Sequence, residues 1–211
     1  MKIIDLSHEI HSSIPVYPGT KPPSFVQTNT IEQNGFAEMT FSMATHTATH
    51  MDAPAHILPG GKTLDRFDAA HFAGRAVIIE ALHVPDGKIT TRHLEPYESQ
   101  LEQAGFAVIH TGWSRYWGEK RYFEGFPSLT PGAAEKLAGF RLQGVGIDAI
   151  SVDPIDSYDL PVHHILLESG ILIIENLAHL DAIRKEAVHF ICLPLKIIGA
   201  DGSPARAVAI I

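Results

Sequence analysis

The sequence has a single cysteine among its 211 residues, no cluster of basic side chains and no long apolar run. Because Cys192 has no second cysteine to pair with, an intrachain disulfide is excluded, which is typical of a protein from a reducing compartment. Lysine and arginine total 16 against 24 acidic residues, and the net charge of −8 disfavours binding to nucleic acid or to an anionic membrane. The longest apolar runs, such as residues 171–174, are too short to span a bilayer.

The rest of the composition is that of an ordinary globular protein, with 45% hydrophobic and 19% charged residues and no internal repeat. Because no break in composition marks a linker, we expect one domain over residues 1–211. The opening stretch MKIIDLSHEI reaches an acidic residue too early for a signal peptide, so we expect a cytoplasmic location.

Hydrophobic periodicity and capping residues divide the chain into strands and helices. Strands are predicted at residues 38–45, 76–81, 106–112, 144–152, 171–176, 189–198 and 205–211. Helices are predicted at residues 90–105, 128–139 and 161–170. Pro96 fits the first helix only near its start or as a break, and Thr130 is the N-cap of the second. The second half alternates helix and strand, whereas the first half is mostly strand and loop. This order predicts an α/β fold with a mixed sheet.

The segment HTATHMDAPAH, residues 46–56, brings three histidines and an aspartate close together in the chain. Since about 0.8 His-x-x-x-His pairs are expected by chance at this histidine content, His46 and His50 alone carry little weight. Asp52 strengthens the case, because imidazole and carboxylate together suit zinc, manganese or iron(II). We expect neither helix nor strand periodicity to place all three on one face, and Pro54 prevents a continuous helix. A bent segment that turns them inward is therefore predicted.

Two further features leave alternatives open at the level of the residues. His56 follows Asp52 by four positions and is a further ligand, a proton shuttle or a solvated loop histidine. Glu175 interrupts the apolar run that follows HHILLESG at residues 163–170. A buried carboxylate is costly unless it is paired or bound to a cation, so Glu175 either faces solvent or completes a site with a histidine from that stretch.

These motifs resemble the metal-dependent cyclase-like hydrolases, a family that includes bacterial kynurenine formamidase (arylformamidase) and isatin hydrolase. The family signature H-x-G-T-H-x-D-x-P-x-H matches residues 46–56 at every position except the glycine, which is Ala48 here. Further similar stretches, in the family's order, are YPGT, HTGWSRYW, GVGIDAISVDP, HHILLESGILIIENL and GSPARAVA. The resemblance therefore covers nearly the whole chain.

The resemblance implies a swivelling β/β/α domain that forms a homodimer or a larger oligomer. It implies one or two divalent metal ions per chain, zinc as in the formamidases or manganese as in isatin hydrolase. The implied ligands are His46, His50, Asp52, His163 and Glu175, with Asp52 able to bridge two ions. His56 is implied to be catalytic, and Glu175 is a ligand, a base or both.

The implied substrate is a small molecule with an amide bond, such as N-formylkynurenine. The formamidases often have Trp-Pro-Gly-Asp where this chain has Tyr17 followed by Pro-Gly-Thr. Ring opening of a lactam or lactone such as isatin is therefore an alternative with the same mechanism. A non-enzymatic metal-binding protein is a third alternative, and His56 argues against it because metal storage needs no spare proton carrier.

Overall fold

The computed structural model describes residues 1–211 and contains twelve strands and five α-helices. The strands are β1 (Ile3–Asp5), β2 (Ser24–Asn29), β3 (Glu38–Ser42), β4 (His50–Asp52), β5 (Ala73–Glu80), β6 (Lys88–Ile89), β7 (Phe106–His110), β8 (Ser128–Leu129), β9 (Gly144–Ile147), β10 (Leu172–Glu175), β11 (Ala187–Pro194) and β12 (Gly202–Ile210). The helices are α1 (Ile31–Asn34), α2 (Thr91–Leu94), α3 (Glu98–Leu101), α4 (Pro131–Ala138) and α5 (Pro161–Glu168).

Eight strands form one mixed sheet that closes into a barrel. Their order is β1-β12-β11-β5-β7-β9-β10-β4, and β4 also pairs with β12, so that seven strands form a closed ring with β1 beside β12. Neighbours among β5, β7, β9 and β10 are parallel, and the other pairs are antiparallel. The predicted α/β fold with a mixed sheet is confirmed.

Two apolar cores lie on the two faces of this sheet. Successive residues of β5 alternate between them: Ala76 and Ile78 belong to the core inside the barrel, and Val77 and Ile79 to the core under the helices. A strand that is buried on both faces reads as a continuous apolar run, which explains why the parallel strands lack polar–apolar alternation. The helices α4 and α5 cover the outer core and contact each other.

The observed helices and strands differ from the predicted ones mainly at their ends. Thr130 caps α4 by accepting a hydrogen bond from the backbone N–H of Ala133 at 3.3 Å, as predicted. The helix predicted over residues 90–105 is broken at Pro96, where a tight turn at Glu95–Tyr97 separates α2 from α3, and it ends at Leu101 rather than at Gly105. Proline removes a helical hydrogen bond and clashes with the preceding turn. The strand predicted over residues 144–152 ends at Ile147, where the chain turns towards the site described below.

A hairpin projects from the barrel, and little of its surface is buried. The strands β2 and β3 pair only with each other, and α1 connects them. This segment, residues 24–42, is called the arm. Every residue of β3 is exposed, so the strand predicted at 38–45 is present over Glu38–Ser42 but contributes nothing to either core. None of the helices has the length and apolar character required to cross a membrane.

Candidate metal centre and active site

The strand β4 places two of the predicted ligands on one face. His50 and Asp52 are two residues apart, so their side chains leave a strand in the same direction. In the register of the barrel, Glu175 of β10 lies opposite His50, and Gly202 of β12 lies opposite Asp52. Strand periodicity therefore accounts for this pair, and the predicted bend is needed only for His46, which precedes β4.

The bend before β4 is centred on Ala48, which has a φ of 54°. This left-handed conformation costs an L-residue about 1–2 kcal/mol, and it occurs at the one signature position where the family has glycine. The bend turns the His46 ring back against the backbone of Gly202. A Cβ atom on Gly202 would lie 2.5 Å from the His46 ring, so only glycine allows this close approach.

The loop after β9 and the start of α5 position His163. The carboxylate of Asp153 accepts hydrogen bonds from the backbone N–H groups of Val162 and His163, at 3.0 and 2.9 Å, where the helix begins. The Nδ1–H of His163 donates to the same carboxylate at 2.7 Å. His164, in contrast, is half-exposed and pairs with Glu168. The histidine chosen by its spacing to Glu175 is thus the one that faces the other predicted ligands.

The structure brings all five predicted ligand residues into one cluster, in which His46 is partly exposed and the other four are buried. Asp52 Oδ1 lies 2.7 Å from His46 Nδ1 and 3.3 Å from His50 Nε2. Glu175 lies 3.5 Å from both His50 Nε2 and His163 Nε2. The atoms form two compact groups that share Asp52: His46, His50 and Asp52, and Asp52, His163 and Glu175.

The cluster fits a divalent cation. Asp52 Oδ2 is buried without a hydrogen-bond partner, although it points towards His163 Nε2 at 3.8 Å. Two buried carboxylates side by side are costly unless a cation compensates them. Imidazole nitrogen and carboxylate oxygen together form a donor set suited to zinc and related metals.

His56 lies at the edge of this cluster. It ends the short turn Pro54–His56 that follows β4, and its side chain is 28% exposed. Its ring centroid is 4.0 Å from that of His46, and its Nδ1 is 3.5 Å from Asp201 Oδ2. The three residues His46, His56 and Asp201 form a further compact group, but His56 belongs to neither of the two groups that contain Asp52.

Electrostatic interactions shift the pKa values of the cluster strongly. Burial and the neighbouring Asp52 raise the pKa of Glu175 to about 7. Burial alone would lower the pKa of His46, but Asp52 and Asp201 outweigh it and raise this pKa to about 9. Burial lowers the pKa of His56, so its imidazole is neutral near pH 7 and can accept a proton. The inner cluster therefore attracts positive charge, while the histidine at its edge is free to exchange protons.

Sequence reasoning missed Asp153 and Asp201. Each lies in or beside a stretch that shows the family resemblance, GVGIDAISVDP for Asp153 and GSPARAVA for Asp201. Neither has a histidine within five positions in the sequence, so no ligand spacing singles it out. Pairing of β12 with β4 brings Asp201 to the site, and capping of α5 brings Asp153 there.

Comparison with known proteins identifies the family. The family model described as "Putative cyclase" matches residues 4–154. The chain belongs to the cyclase family. A kynurenine formamidase from Geobacillus thermodenitrificans is 36% identical over 206 residues, which cover 97% of this chain and 95% of the relative. The resemblance inferred from the signature is confirmed.

Solved structures agree in fold. A protein described as a potential metal-dependent hydrolase with cyclase activity superposes with a TM-score of 0.83 at 28% identity, covering 99% of this chain and 96% of that one. Isatin hydrolase A from Labrenzia aggregata, bound to benzyl benzoate, superposes with a TM-score of 0.88 at 25% identity, covering 100% and 93%. The predictions of a hydrolase and of a divalent metal are confirmed at this level.

Proposed function

We propose that the protein hydrolyses the formamide bond of an aryl formamide such as N-formylkynurenine, giving formate and an aryl amine. The observation that carries this proposal is the convergence of His46, His50, Asp52, His163 and Glu175, with a neutral His56 beside them. The similarity to kynurenine formamidases over nearly the whole chain supports the same substrate class.

We assign the metal-ligand role to the five clustered residues and propose zinc as the ion, with manganese as the alternative. Each of the two groups offers three protein ligands, which is the usual number in a catalytic zinc site. The two oxygens of Asp52 face different histidines, so Asp52 would serve both groups if two ions were bound. When bound, the metal supplies a Lewis acid for the carbonyl and lowers the pKa of water.

The protein's own residues then have separate tasks. His56 accepts a proton from the attacking water and returns it to the departing nitrogen when the carbon–nitrogen bond breaks. Glu175 is buried between His50 and His163, and its Oε1 accepts a hydrogen bond from Val152 N–H at 3.0 Å. A carboxylate held in this way is suited to metal binding, so we assign the proton transfer to His56.

A hydrolysis assay tests the proposal. The zinc-loaded protein is incubated with N-formylkynurenine, and release of the aryl amine is followed by absorbance, with Asp52→Asn as the matched metal-site variant. We expect turnover by the wild type and loss of turnover in the variant, because both ligand groups contain Asp52. Metal-loaded protein that cleaves neither formamides nor lactams would contradict the proposal.

Ring opening of a lactam such as isatin is the second candidate. It is supported by Tyr17, which replaces the tryptophan found in many formamidases. The Tyr17 hydroxyl donates a hydrogen bond to the Ile155 carbonyl at 3.3 Å. Burial and the charge of Glu175 raise the pKa of Tyr17. The ratio of kcat/KM for isatin to that for N-formylkynurenine decides between the two substrates.

We also propose that residues 1–211 form one hydrolase domain and that two copies associate as a homodimer. The first proposal is supported by β1 and β12, from opposite ends of the chain, which pair in the same barrel. The second is supported by apolar side chains about half exposed on the arm, and by a groove of about 830 Å³ between the arm and the barrel. The arm contributes Val26, Ile31, Phe36, Met39 and Phe41.

Apolar patches larger than a few hundred Å² usually mark an interaction site. The groove includes the exposed side chains of Leu193, Leu195 and Ile197, which are suited to cover the arm of a second copy. Light scattering of the wild type should give a dimer mass, and the double variant Met39→Asp and Phe41→Asp should give a monomer. Leu82→Asp, an exposed position outside the arm and the groove, is the control. A monomeric wild type at micromolar concentration would contradict the proposed homodimer.

We also propose a cytoplasmic location, which is supported by the single cysteine, buried and unpaired.

A further inference from the structure

The three histidines of the cluster share one geometric property. Each directs one ring nitrogen towards Asp52 or Glu175 and the other towards an oxygen acceptor outside the cluster. His50 Nδ1–H donates to the Ala48 carbonyl at 2.8 Å. His163 Nδ1 lies 2.7 Å from Asp153, and His46 Nε2 lies 3.0 Å from Asp201.

The ring nitrogen that faces the cluster is therefore not the same one in all three histidines. His50 and His163 present Nε2, and His46 presents Nδ1. A neutral imidazole binds a metal only through the nitrogen that carries no proton. The acceptor on the outward side holds the proton there and leaves the inward nitrogen free.

We propose that Asp153 and Asp201 are positioning residues, which accept the outward N–H of His163 and of His46 and thereby determine which nitrogen of each ring binds the metal. This inference rests on the metal centre proposed above. It assigns to two aspartates a role that neither the signature nor the ligand spacing contains.

The surroundings of Asp153 leave its carboxylate few other hydrogen-bond partners. Asp153 is completely buried, and its carboxylate hydrogen-bonds only to the first turn of α5 and to the His163 ring. Its backbone N–H donates to the Ser151 hydroxyl oxygen. Leu160 occupies the N-cap position of this helix, and its side chain makes no capping hydrogen bond. The carboxylate of Asp153 therefore takes the place of a local cap. The same contacts therefore fix both the start of α5 and the orientation of His163.

Asp201 acts from the solvent side of the cluster. Its side chain is 41% exposed, and one oxygen faces both His46 Nε2 at 3.0 Å and His56 Nδ1 at 3.5 Å. Since water can replace an exposed acceptor more easily than a buried one, we expect Asp201 to matter less than Asp153. Its position between a ligand and His56 also predicts an effect on both metal affinity and kcat.

Zinc affinity, measured by competition with a chelator, tests this inference without any substrate. The amide of Asp153→Asn can donate to His163 Nδ1, which favours the tautomer that carries its proton on the inward nitrogen. Loss of such an outer acceptor typically weakens metal binding 10–100-fold. We expect a loss in this range for Asp153→Asn and a smaller loss for Asp201→Asn. Asp148→Asn is the control, because Asp148 is equally buried but binds only Thr111 and Gly112.

Ring-nitrogen NMR of the zinc-loaded protein provides the second measurement. In the wild type, His163 should show a protonated Nδ1 and a metal-bound Nε2, and Asp153→Asn should lose this pattern. Unchanged zinc affinity and an unchanged His163 pattern in Asp153→Asn would overturn the inference, and so would an equal loss of affinity in Asp148→Asn. If Asp153→Asn does not fold, the zinc affinity of Asp201→Asn decides alone, because Asp201 contacts His46. A wild type that binds no divalent metal would instead refute the proposed centre itself.

Discussion

Substitution of His56 separates metal binding from proton transfer. His56 lies outside the two ligand groups that contain Asp52, and its closest contacts with the site are the His46 ring and the Asp201 carboxylate. His56→Ala therefore leaves the five proposed ligand residues in place, which exceeds the usual three protein ligands of one catalytic zinc ion. We expect the variant to retain its metal and its fold.

The expected loss is confined to the chemical step. General acid–base catalysis typically contributes about 10²–10⁴-fold to the rate. At about 1.4 kcal/mol per factor of ten, removal of His56 should cost roughly 3–5 kcal/mol of transition-state stabilisation. The wild type should also lose activity at acid pH as the neutral His56 becomes protonated, and the variant should lack this dependence.

Metal content per chain and kcat on N-formylkynurenine are the two measurements. The half-exposed His164, which is paired with Glu168, supplies the control variant His164→Ala with expected wild-type values of both. Loss of metal in His56→Ala would make His56 a ligand. Retained metal with near-normal kcat would refute its catalytic role and make Glu175 the leading candidate for the base.

Three further predictions concern the ligands, the pH dependence and the bend. Asp52→Ala should lose stoichiometric metal on dialysis, because both ligand groups contain Asp52; retained metal would show that the site is wrongly assigned. In metal-free protein, the pKa values of about 9 for His46 and about 7 for Glu175 lie above the ordinary values of 6.5 and 4.5, so the folded state binds more protons than the unfolded state. The Tm after chelation should therefore fall between pH 6.5 and 9, and the gain in Tm on adding zinc should grow; a flat Tm would contradict these charges. Ala48→Gly should relieve about 1–2 kcal/mol of strain but lose about 0.8 kcal/mol of burial and 0.4–1 kcal/mol through the unfolded chain. Denaturant unfolding should then show a net change below about 1 kcal/mol, and a larger change would show that the bend is held differently.

The sequence predicts those parts of the site that are local in the chain. His46, His50 and Asp52 are identified by their spacing and by the signature, and the cost of burying Glu175 indicates a second contribution. The offset of twelve residues between His163 and Glu175 matters only because α5 packs beside β10, so it required the family resemblance. The break at Pro96 follows from the proline itself, whereas the end of β9 at Ile147 depends on packing, and periodicity alone cannot locate it.

Closure of the barrel accounts for the part of the site that could not be predicted. Residues 202–204 of β12 pair with β4, while the later residues of β12 pair with β11 and β1. This change of partner places Gly202 against the His46 ring and Asp201 next to both His46 and His56, although about 150 residues separate them in the chain. Nothing in the local sequence encodes this pairing, because it depends on the register of the whole ring of strands. The pairing that closes the barrel therefore places Gly202 against His46, and a side chain at position 202 would meet the His46 ring of the proposed metal centre.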